Sequence, residues 1–579
     1  MTVPQQPTAS KRALQIAFRS AVGLLDVLLA AGSLVAFAVL LTGGWEWSTR
    51  FGLLRAYTAG NLLYALAVLG LLRAGAVERF PSFLGVVDLA RLKTRLENLC
   101  SLASSAVGQW DRRTIARILA GIIVASTIGK ILNAYWYYGF CCGDDVEIHE
   151  MTFSRLFGLD WKASDLRSAV YPLGIIYPVQ AAAVRLGVDT PESLILVGRL
   201  VVVGFSAASI FLTYRLAVRY FQSQPIALVA ATVLAVSKVF STFGSSELPG
   251  PVAATLLLGS SLFLFDATPR RLAFASLLMG LAAALRFSEL IFVAPAVVAL
   301  AVQRQPMRAA MFGLLAMGFF LAFVGAADYL YWGRPFASLF NIIDFTLIRQ
   351  QSSRGVQPFH YYFSSATAWI NWVLLAFIAY GARRAPIHVT AWLVVPVLLL
   401  SCLPHKEARY LVAAMPFAAI LAGLGCWLLF TEGWRPRWLK NPATWRLVVA
   451  AALVLAVVLE IDGIRFRRSD AAVYGARLIA NAVPARVVAL EQSWQAGGRL
   501  YLRGVETVLD ISAESLSNAS ALERYLADSG AEYVGFRQQT LAGHGYEGLV
   551  RRLGFTELEP SDPPRAYRVF FRRPGPVAR

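Results

Sequence analysis

Long apolar runs alternate with short polar connectors from residue 14 to residue 461. The first run, 14–41, follows Lys11 and Arg12 and is too long for the apolar region of a secretory signal peptide, so it predicts an uncleaved spanning helix. A second run, 51–72, predicts a return crossing. Eleven further runs lie at 115–138, 194–218, 227–243, 252–264, 272–285, 291–302, 310–331, 368–380, 389–403, 411–430 and 447–461. The pattern predicts an all-α polytopic membrane protein of about 13 transmembrane helices.

Basic residues between the runs orient these helices. Lys and Arg collect in the loops on the cytoplasmic side of a membrane. They are concentrated in residues 73–117 and in the short connectors 270–271, 304–308, 383–384 and 435–440. We therefore expect a cytoplasmic N-terminus. The loops that begin at Cys141, Trp332 and Pro404 are expected on the extracytoplasmic side.

The pattern divides the chain into three parts. Residues 1–112 are expected to form a two-helix membrane extension with a basic cytoplasmic loop, and residues 113–464 the main membrane module. Residues 465–579 change character, because β-like runs at 486–490, 507–509, 533–536 and 567–571 alternate with helical patterns at 521–527 and 546–553. They predict a small extracytoplasmic α/β domain.

Composition excludes several classes of protein. Apolar residues make up 57% of the chain, charged residues 15%, and the mean hydropathy is +0.56. A soluble domain carries about 25% charged residues, and a chain with 12% aromatic residues is not disordered. The net charge of +19 would indicate a nucleic-acid partner in a soluble protein. Basic cytoplasmic loops explain it here, so no nucleic acid is expected.

An acidic cluster follows the run 115–138. Asp144, Asp145, Glu147 and Glu150 lie within seven residues, and carboxylates this close repel one another. At least one is therefore expected to bind a cation or to have a raised pKa. A carboxylate in a loop at the membrane edge can deprotonate a hydroxyl group or hold a divalent cation. The alternative is an ordinary hydrated loop.

A basic cluster, His405-Lys406-Glu407-Ala408-Arg409, opens the run 411–430. If it is helical, His405 and Arg409 share one face, and three basic side chains at a helix start form a site for an anion such as phosphate. Snorkelling side chains at the membrane interface, with Glu407 as a salt-bridge partner, are the alternative.

Two further segments are ambiguous by themselves. Residues 357–363 place His360 and Tyr362 among aromatic side chains, which suit sugar stacking but also crowd membrane interfaces. Arg286 stands at an expected helix break on the outer side.

Together these motifs resemble the GT-C superfamily of polyprenyl-phosphate-sugar-dependent glycosyltransferases, and within it the family 22 mannosyltransferases of GPI anchors and lipid-linked oligosaccharides. His405-Lys406-Glu407-x-Arg409-Tyr410 with Pro416 is similar to that family's HKE-x-R-F and following proline. Asp144-Asp145 stands where the family has an acidic pair. The other matching residues are Gly158, Trp161, Arg167, Ser168, Tyr171, Pro172, Asp328, Tyr331, Gly333, Asn341, Gly355, Pro358, His360 and Tyr362. The resemblance spans about residues 115–430.

The resemblance implies a GT-C fold and an inverting transfer of mannose, or another hexose, on the extracytoplasmic face. The donor would be a polyprenyl-phosphate sugar, and the acceptor a lipid-linked glycan in the membrane lipid. Asp144 or Asp145 would be the base, because the spacing to Glu150 leaves both alignments open, and Glu150 a supporting acid. Donor or substrate binding is expected of His405, Lys406, Glu407, Arg409, His360, Tyr362, Arg167 and Arg286. The resemblance implies no certain cofactor, although a divalent metal is possible.

Three other interpretations stay open at this stage. A GT-C enzyme for another sugar, such as arabinose or aminoarabinose, would share the architecture. A lipid or glycan transporter should show repeated halves and charges near the membrane midplane. The chain shows no such halves, and Lys130, Arg199 and Lys238 form no acidic relay in the sequence. A non-catalytic scaffold subunit would tolerate the loss of Asp144.

Overall fold

The computed structural model describes most of the chain from residue 111 onwards. The described residues are 111–136, 139–140, 143–161, 164–264, 268–349, 355–431, 441–464, 470–482, 485–559 and 566–572, with 27–29, 31–35, 45–49, 52–56, 66 and 98 before them. Most of the two predicted N-terminal spans, and of the basic loop after them, therefore lies outside the described residues.

Two short strands are described in the N-terminal part. β1 (Trp45–Thr49) and β2 (Gly52–Ala56) pair antiparallel, with Trp45 opposite Ala56. β2 lies inside the predicted second span, 51–72, so the prediction of a helix is wrong for the first residues of that run. Backbone pairing with β1 takes these residues into a sheet instead.

Helices make up the membrane part. In chain order they are α1 Arg112–Trp136, α2 Gly143–Phe157, α3 Tyr177–Arg185, α4 Pro191–Phe221, α5 Gln224–Val236, α6 Lys238–Phe243, α7 Gly250–Leu264, α8 Pro269–Leu285, α9 Val293–Val302, α10 Pro306–Trp332, α11 Ala337–Ile343, α12 Tyr361–Ser364, α13 Trp372–Arg384, α14 Ile387–Ser401, α15 Met415–Thr431 and α16 Pro442–Asp462. Tighter or wider helical turns lie at Pro172–Ile176, Phe287–Phe292, Asp344–Ile348, Ala366–Ala368 and Ala408–Ala414. Every apolar run predicted between residues 115 and 461 overlaps at least one of these helices.

These helices identify an integral membrane protein. Within the described residues, five helical segments are long and apolar enough to cross a membrane: Arg112–Trp136, Pro191–Phe221, Pro306–Trp332, Ala408–Thr431 and Pro442–Asp462. Other predicted spans are shorter or broken helices. The run 227–243, for example, divides at Ser237, whose hydroxyl accepts a hydrogen bond from the Phe240 backbone and starts α6. Apolar run length thus predicted where the helices lie, but it does not establish the count of 13.

Small residues let the membrane helices approach closely. A Cβ atom at Gly280 of α8 would lie 2.7 Å from the Ala316 carbonyl of α10. Gly381 of α13 and Gly425 of α15 face each other so closely that neither position has room for a Cβ atom. In a membrane, such backbone contact substitutes for the hydrophobic drive that packs soluble helices.

The C-terminal residues form a five-stranded mixed sheet. Its elements are α17 Asp470–Ala480, β3 Val487–Glu491, β4 Thr507–Ile511, α18 Ala519–Asp528, β5 Tyr533–Arg537, α19 Gln538–His544, α20 Tyr546–Arg552, β6 Thr556–Glu557 and β7 Tyr567–Phe571. The strand order is β4-β3-β5-β7-β6; β3, β4 and β5 are parallel, and β7 is antiparallel to its neighbours. The four β-like runs predicted from the sequence overlap β3, β4, β5 and β7, and β6 was not predicted.

One face of this sheet packs directly on the membrane part. Val146 and Phe153 of α2 share a buried core with Val488 and Leu500 of the C-terminal part and Leu194 of α4. The other face is covered by α18, α19 and α20 around Phe536 and Phe570. The C-terminal sheet therefore packs directly against α2, the helix that carries the acidic cluster.

Candidate active site

The acidic cluster lies on a helix, α2, and the helical period separates its members. Asp144 and Glu147 are three residues apart, on a face where their side chains keep 14% and 27% of their exposure. Asp145, the residue directly after Asp144, points into the core and is fully buried, as is His149. Asp144 and Asp145 also lie in the first turn, where the helix dipole stabilises negative charge. Adjacent positions on a helix therefore give the two aspartates opposite environments.

The basic segment is not helical where the sequence suggested a helix. His405 and Lys406 precede the tight helical turn Ala408–Ala414, and Glu407 is extended, with φ −140° and ψ 152°. The predicted shared helical face of His405 and Arg409 is therefore wrong. Pro404 disfavours a helical conformation at Leu403 and so separates this segment from the end of α14 at Ser401.

Glu407 joins the two basic residues instead. His405 Nε2 lies 2.7 Å from Glu407 Oε1, and Arg409 Nε lies 2.6 Å from Glu407 Oε2. Burial tends to raise the pKa of the Glu407 carboxyl group, but Arg409 and His405 outweigh burial and lower it. Glu407 is therefore held as a carboxylate.

An alternating chain of charges connects α2 to this segment. Arg409 Nη1 donates to Asp144 Oδ2 over 2.8 Å, and Arg167 pairs with both Asp144 and Glu147. We call Glu147, Arg167, Asp144, Arg409, Glu407 and His405 the ion chain. Burial alone would lower the pKa of Arg167, but the two carboxylates raise it. The ion chain brings together residues more than 250 positions apart in sequence.

The backbone around residues 403–407 is fixed by neighbouring side chains. Lys406 Nζ donates to the carbonyl oxygens of Gln357, over 2.7 Å, and Leu403, over 2.5 Å. The buried hydroxyl of Tyr362 donates to the Glu407 carbonyl over 3.2 Å. Burial raises the pKa of Tyr362 by more than this hydrogen bond lowers it. Residues 357–362 thus hold the basic segment against α2.

Arg286 supports the same segment from another helix break. Its Nη1 lies 3.4 Å from the Arg409 carbonyl and 3.3 Å from Glu289 Oε1. Its guanidinium lies 5.0 Å from the centre of the Tyr410 ring. The structure therefore places Arg286 behind Arg409.

Three predicted site residues lie apart from the ion chain. Asp145 is buried on the other side of α2, and the His360 side chain is exposed beside α12. Glu150 faces the C-terminal loop, where a Cβ atom on Gly498 would be 3.4 Å from its Oε1. Burial raises the pKa of Glu150 to about 7, an effect that Arg499 opposes and Glu147 increases.

A second polar cluster, which sequence reasoning missed, lies behind α2. Glu247 is fully buried and its Oε1 accepts from Arg199 Nε over 2.7 Å; Arg199 also donates to the carbonyls of Ala134 and Gly139. Burial tends to raise the pKa of Glu247, but Arg199 and His149 lower it. Arg199 therefore has an acidic partner that the sequence did not predict, although one pair of charges is not the acidic relay of a transporter. A carboxylate in a mostly apolar stretch and an arginine within a span were the available signals.

Hydrogen bonds extend this cluster to α2. Gln180 Nε2 donates to the Leu194 carbonyl over 2.8 Å and lies 3.1 Å from His149 Nδ1. Nδ1 is therefore the acceptor, and the protonated Nε2 faces Glu247 Oε1 at 3.5 Å. We call Glu247, Arg199, His149 and Gln180 the buried network.

The described part of the chain has no set of side chains arranged to hold the divalent metal that the resemblance made possible. No three His, Cys, Asp or Glu side chains converge there as metal ligands do. The carboxylates of Asp144 and Glu147 both face Arg167 instead of a shared centre.

Comparison with known proteins adds a family and a fold. The model of the Alg9-like mannosyltransferase family matches residues 146–465, more than half of the chain. GPI mannosyltransferase 3 of Yarrowia lipolytica is 28% identical over 137 residues, which are 23% of this chain. That match spans only 26% of the relative's length.

Two solved structures share the fold. ArnT from Cupriavidus metallidurans bound to undecaprenyl phosphate superposes with a TM-score of 0.53 at 14% identity, over 78% of this chain and 97% of ArnT. The Archaeoglobus fulgidus oligosaccharyltransferase in its apo form gives a TM-score of 0.51 at 13% identity, over 76% of this chain and 71% of that one. At these identities the likeness concerns the fold alone.

Proposed function

The chain belongs to the Alg9-like mannosyltransferase family, and from that membership we propose that it transfers mannose from a polyprenyl-phosphate carrier to a hydroxyl group of a lipid-linked glycan. The observation that carries this proposal is the position of Asp144 between Arg167 and Arg409. A carboxylate suits removal of a hydroxyl proton, and guanidinium groups suit a phosphate. ArnT, which shares the fold, binds undecaprenyl phosphate.

The reaction is a displacement at the anomeric carbon with inversion. The acceptor oxygen forms a bond to that carbon while the bond to the carrier phosphate oxygen breaks. Asp144 takes the acceptor proton, and the phosphate leaves with the bonding electron pair. Arg409 and Arg167 stabilise the negative charge that develops on the phosphate, as positioned cations do in other transfer reactions.

Burial supports Asp144 over Asp145 as the base. The Asp144 side chain keeps 14% of its exposure, whereas Asp145 is fully buried beside the buried network. A base must come within hydrogen-bond distance of the proton that it removes. We therefore assign Asp145 to the packing of α2.

The remaining site residues take supporting roles in this proposal. His405 and Glu407 set the position of Arg409, while Lys406, Tyr362 and Arg286 hold the backbone around it. His360 is exposed directly before α12, the helix that carries Tyr362. We assign it to the edge of the site, where the donor would enter. Glu150 faces Gly498 in the loop between β3 and β4. If it is a supporting acid, it therefore acts without belonging to the ion chain.

We assign the site to the extracytoplasmic face, with a cytoplasmic N-terminus. In support of this, α2 contacts both Arg409 and the C-terminal sheet, as groups on one side of a membrane can. Helix α8 begins at the basic connector 270–271 and ends at Arg286. Helix α13 begins after Asn371 and ends at the basic connector 383–384. Both connectors therefore lie at the helix ends away from the site, as cytoplasmic loops would. The three parts 1–112, 113–464 and 465–579 remain our proposed division of the chain.

A transfer assay tests the function. Full-length protein in detergent or in membranes is incubated with labelled polyprenyl-phosphate mannose and host glycolipids, and the lipid product is analysed. We expect mannose in a glycolipid, and at least about 10²-fold less of it with Asp144→Asn. A labelled arabinose donor is the matched control. Product from the arabinose donor alone would reassign the sugar, and full activity of Asp144→Asn would exclude the proposed base.

A further inference from the structure

The groups suited to bind the donor phosphate already hold anions of the protein itself. Arg409 Nη1 and Nη2 donate to Asp144 and Glu407 over 2.8 and 3.0 Å. Arg167 is engaged by Asp144 and Glu147. A phosphate approaching either guanidinium must therefore compete with a carboxylate.

The charge count leads to the same conclusion. The ion chain contains three carboxylates and two guanidinium groups, with His405 counted as neutral. Adding the nearby Lys406 brings the sum only to zero. The cluster thus has no excess positive charge for an anionic donor until a carboxylate leaves its partner.

The same contacts restrain the proposed base. Asp144 Oδ1 is bound by Arg167 and Oδ2 by Arg409, so each oxygen faces a cation. A carboxylate flanked by two guanidinium groups is a poor proton acceptor, because both neighbours favour its charged form. Asp144 in this arrangement is protected from protons and also unsuited to take one from an acceptor.

We propose that the donor phosphate exchanges with Asp144 on Arg409 and Arg167, so that binding of the donor itself releases the base. This inference rests on the proposed function and adds an order of events to it. In the unliganded protein Asp144 occupies the place of the phosphate. When the phosphate takes over the two guanidinium groups, Asp144 turns to the acceptor hydroxyl, and transfer begins only with the donor in place.

Binding of undecaprenyl phosphate to the full-length protein in detergent tests the exchange. Asp144→Asn keeps the shape of the side chain but removes its charge, so the competitor is weakened. We expect undecaprenyl phosphate to bind about fivefold or more tightly than to the wild type, in a variant that has lost transfer activity. A residue that only helps to build the site would show unchanged or weaker binding when altered.

Two further variants complete the test. Glu192→Gln removes one carboxylate from the distant pair with Arg477, and we expect wild-type affinity, which controls for a general change in charge. Glu407→Gln removes the other anion from Arg409 and should also tighten binding; it replaces Asp144→Asn if that variant does not fold.

The outcomes separate the exchange from the function. Unchanged or weaker binding in a folded Asp144→Asn protein, or in folded Glu407→Gln where Asp144→Asn does not fold, overturns the exchange even if mannose transfer by the wild type is observed. Equal tightening in Glu192→Gln overturns it too, because the effect would then be non-specific. Absence of mannose transfer in the wild type, together with tighter binding in Asp144→Asn, would refute the proposed sugar transfer and leave the exchange of anions standing.

Discussion

The ion chain and the buried network occupy opposite faces of α2 and use the same kinds of side chain, yet they differ in access to solvent. In the ion chain, Arg167 and Glu407 keep 34% and 31% side-chain exposure, Asp144 keeps 14% and Arg409 keeps 6%, whereas Glu247 and His149 of the buried network keep none. An exposed pair contributes about 0–1 kcal/mol to stability, but breaking a buried pair costs about 3–5 kcal/mol. We infer that the buried network fixes α2, whereas the ion chain, which reaches solvent at Arg167 and Glu407, is the cluster that can exchange partners.

The largest expected effect is on the buried network. Arg199→Met leaves the Glu247 carboxylate buried without its main partner, so we expect the free energy of unfolding to fall by about 3–5 kcal/mol. Denaturation in detergent measures it. Since Met retains much of the apolar volume, packing loss is small. Wild-type stability in this variant would end the distinction between the two clusters.

The ion chain should show the reverse behaviour. Asp144→Asn is expected to lower turnover by about 10²-fold or more while costing less free energy of unfolding than Arg199→Met, because Arg409 keeps Glu407 as an anionic partner. Turnover and denaturation are measured on the same preparation. A loss of stability comparable to that of Arg199→Met would mean that Asp144 belongs functionally with the buried network.

Glu150 provides a third case on the same helix, because it lies on α2 but belongs to neither cluster. Its pKa is about 7 in the folded protein and about 4.5 in the unfolded chain. The folded state therefore binds more protons between these values, and stability falls as pH rises from about 4.5 to 7, by about 1–2 kcal/mol after allowing for partial exposure. Glu150→Gln should remove this fall in denaturation curves measured across that range. A slope identical to that of the wild type would contradict the assigned burial of Glu150.

The smallest effect is expected from a change that keeps the charge. Arg409→Lys loses the fork that joins Asp144 and Glu407, so donor use should weaken by about 1 kcal/mol, roughly fivefold. The KM for the acceptor should stay nearly constant. Kinetics with varied donor and fixed acceptor measure the change. Unaltered donor kinetics would reduce Arg409 to a membrane-interface residue.

Local sequence signals predicted part of this arrangement. The apolar runs located the membrane helices, and the HKE-x-R motif and the acidic pair located both halves of the ion chain before any contact was known. These features are readable because each is carried by adjacent residues. The family of the chain followed from the same motifs and is confirmed by the family match.

The other part depended on contacts between distant residues. The pairing of Arg199 with Glu247 joins positions 48 residues apart, and the one between Asp144 and Arg409 spans 265. The choice between Asp144 and Asp145 required knowledge that α2 is a helix, because in a loop both carboxylates would be hydrated. Neither the extended backbone at Glu407, three residues after Pro404, nor the packing of the C-terminal sheet on α2 has a local signal in the sequence.

The packing of the C-terminal sheet on α2 has a consequence for folding during synthesis. Val146 and Phe153 of α2 find their apolar partners in Val488, Leu500 and Tyr567, which are synthesised more than 300 residues later. While the membrane helices are being inserted one after another, this side of α2 packs on Leu194 of α4 but lacks the part of its core that the C-terminal sheet supplies. The helix that carries Asp144 therefore acquires its complete set of apolar contacts only after β7 has been made.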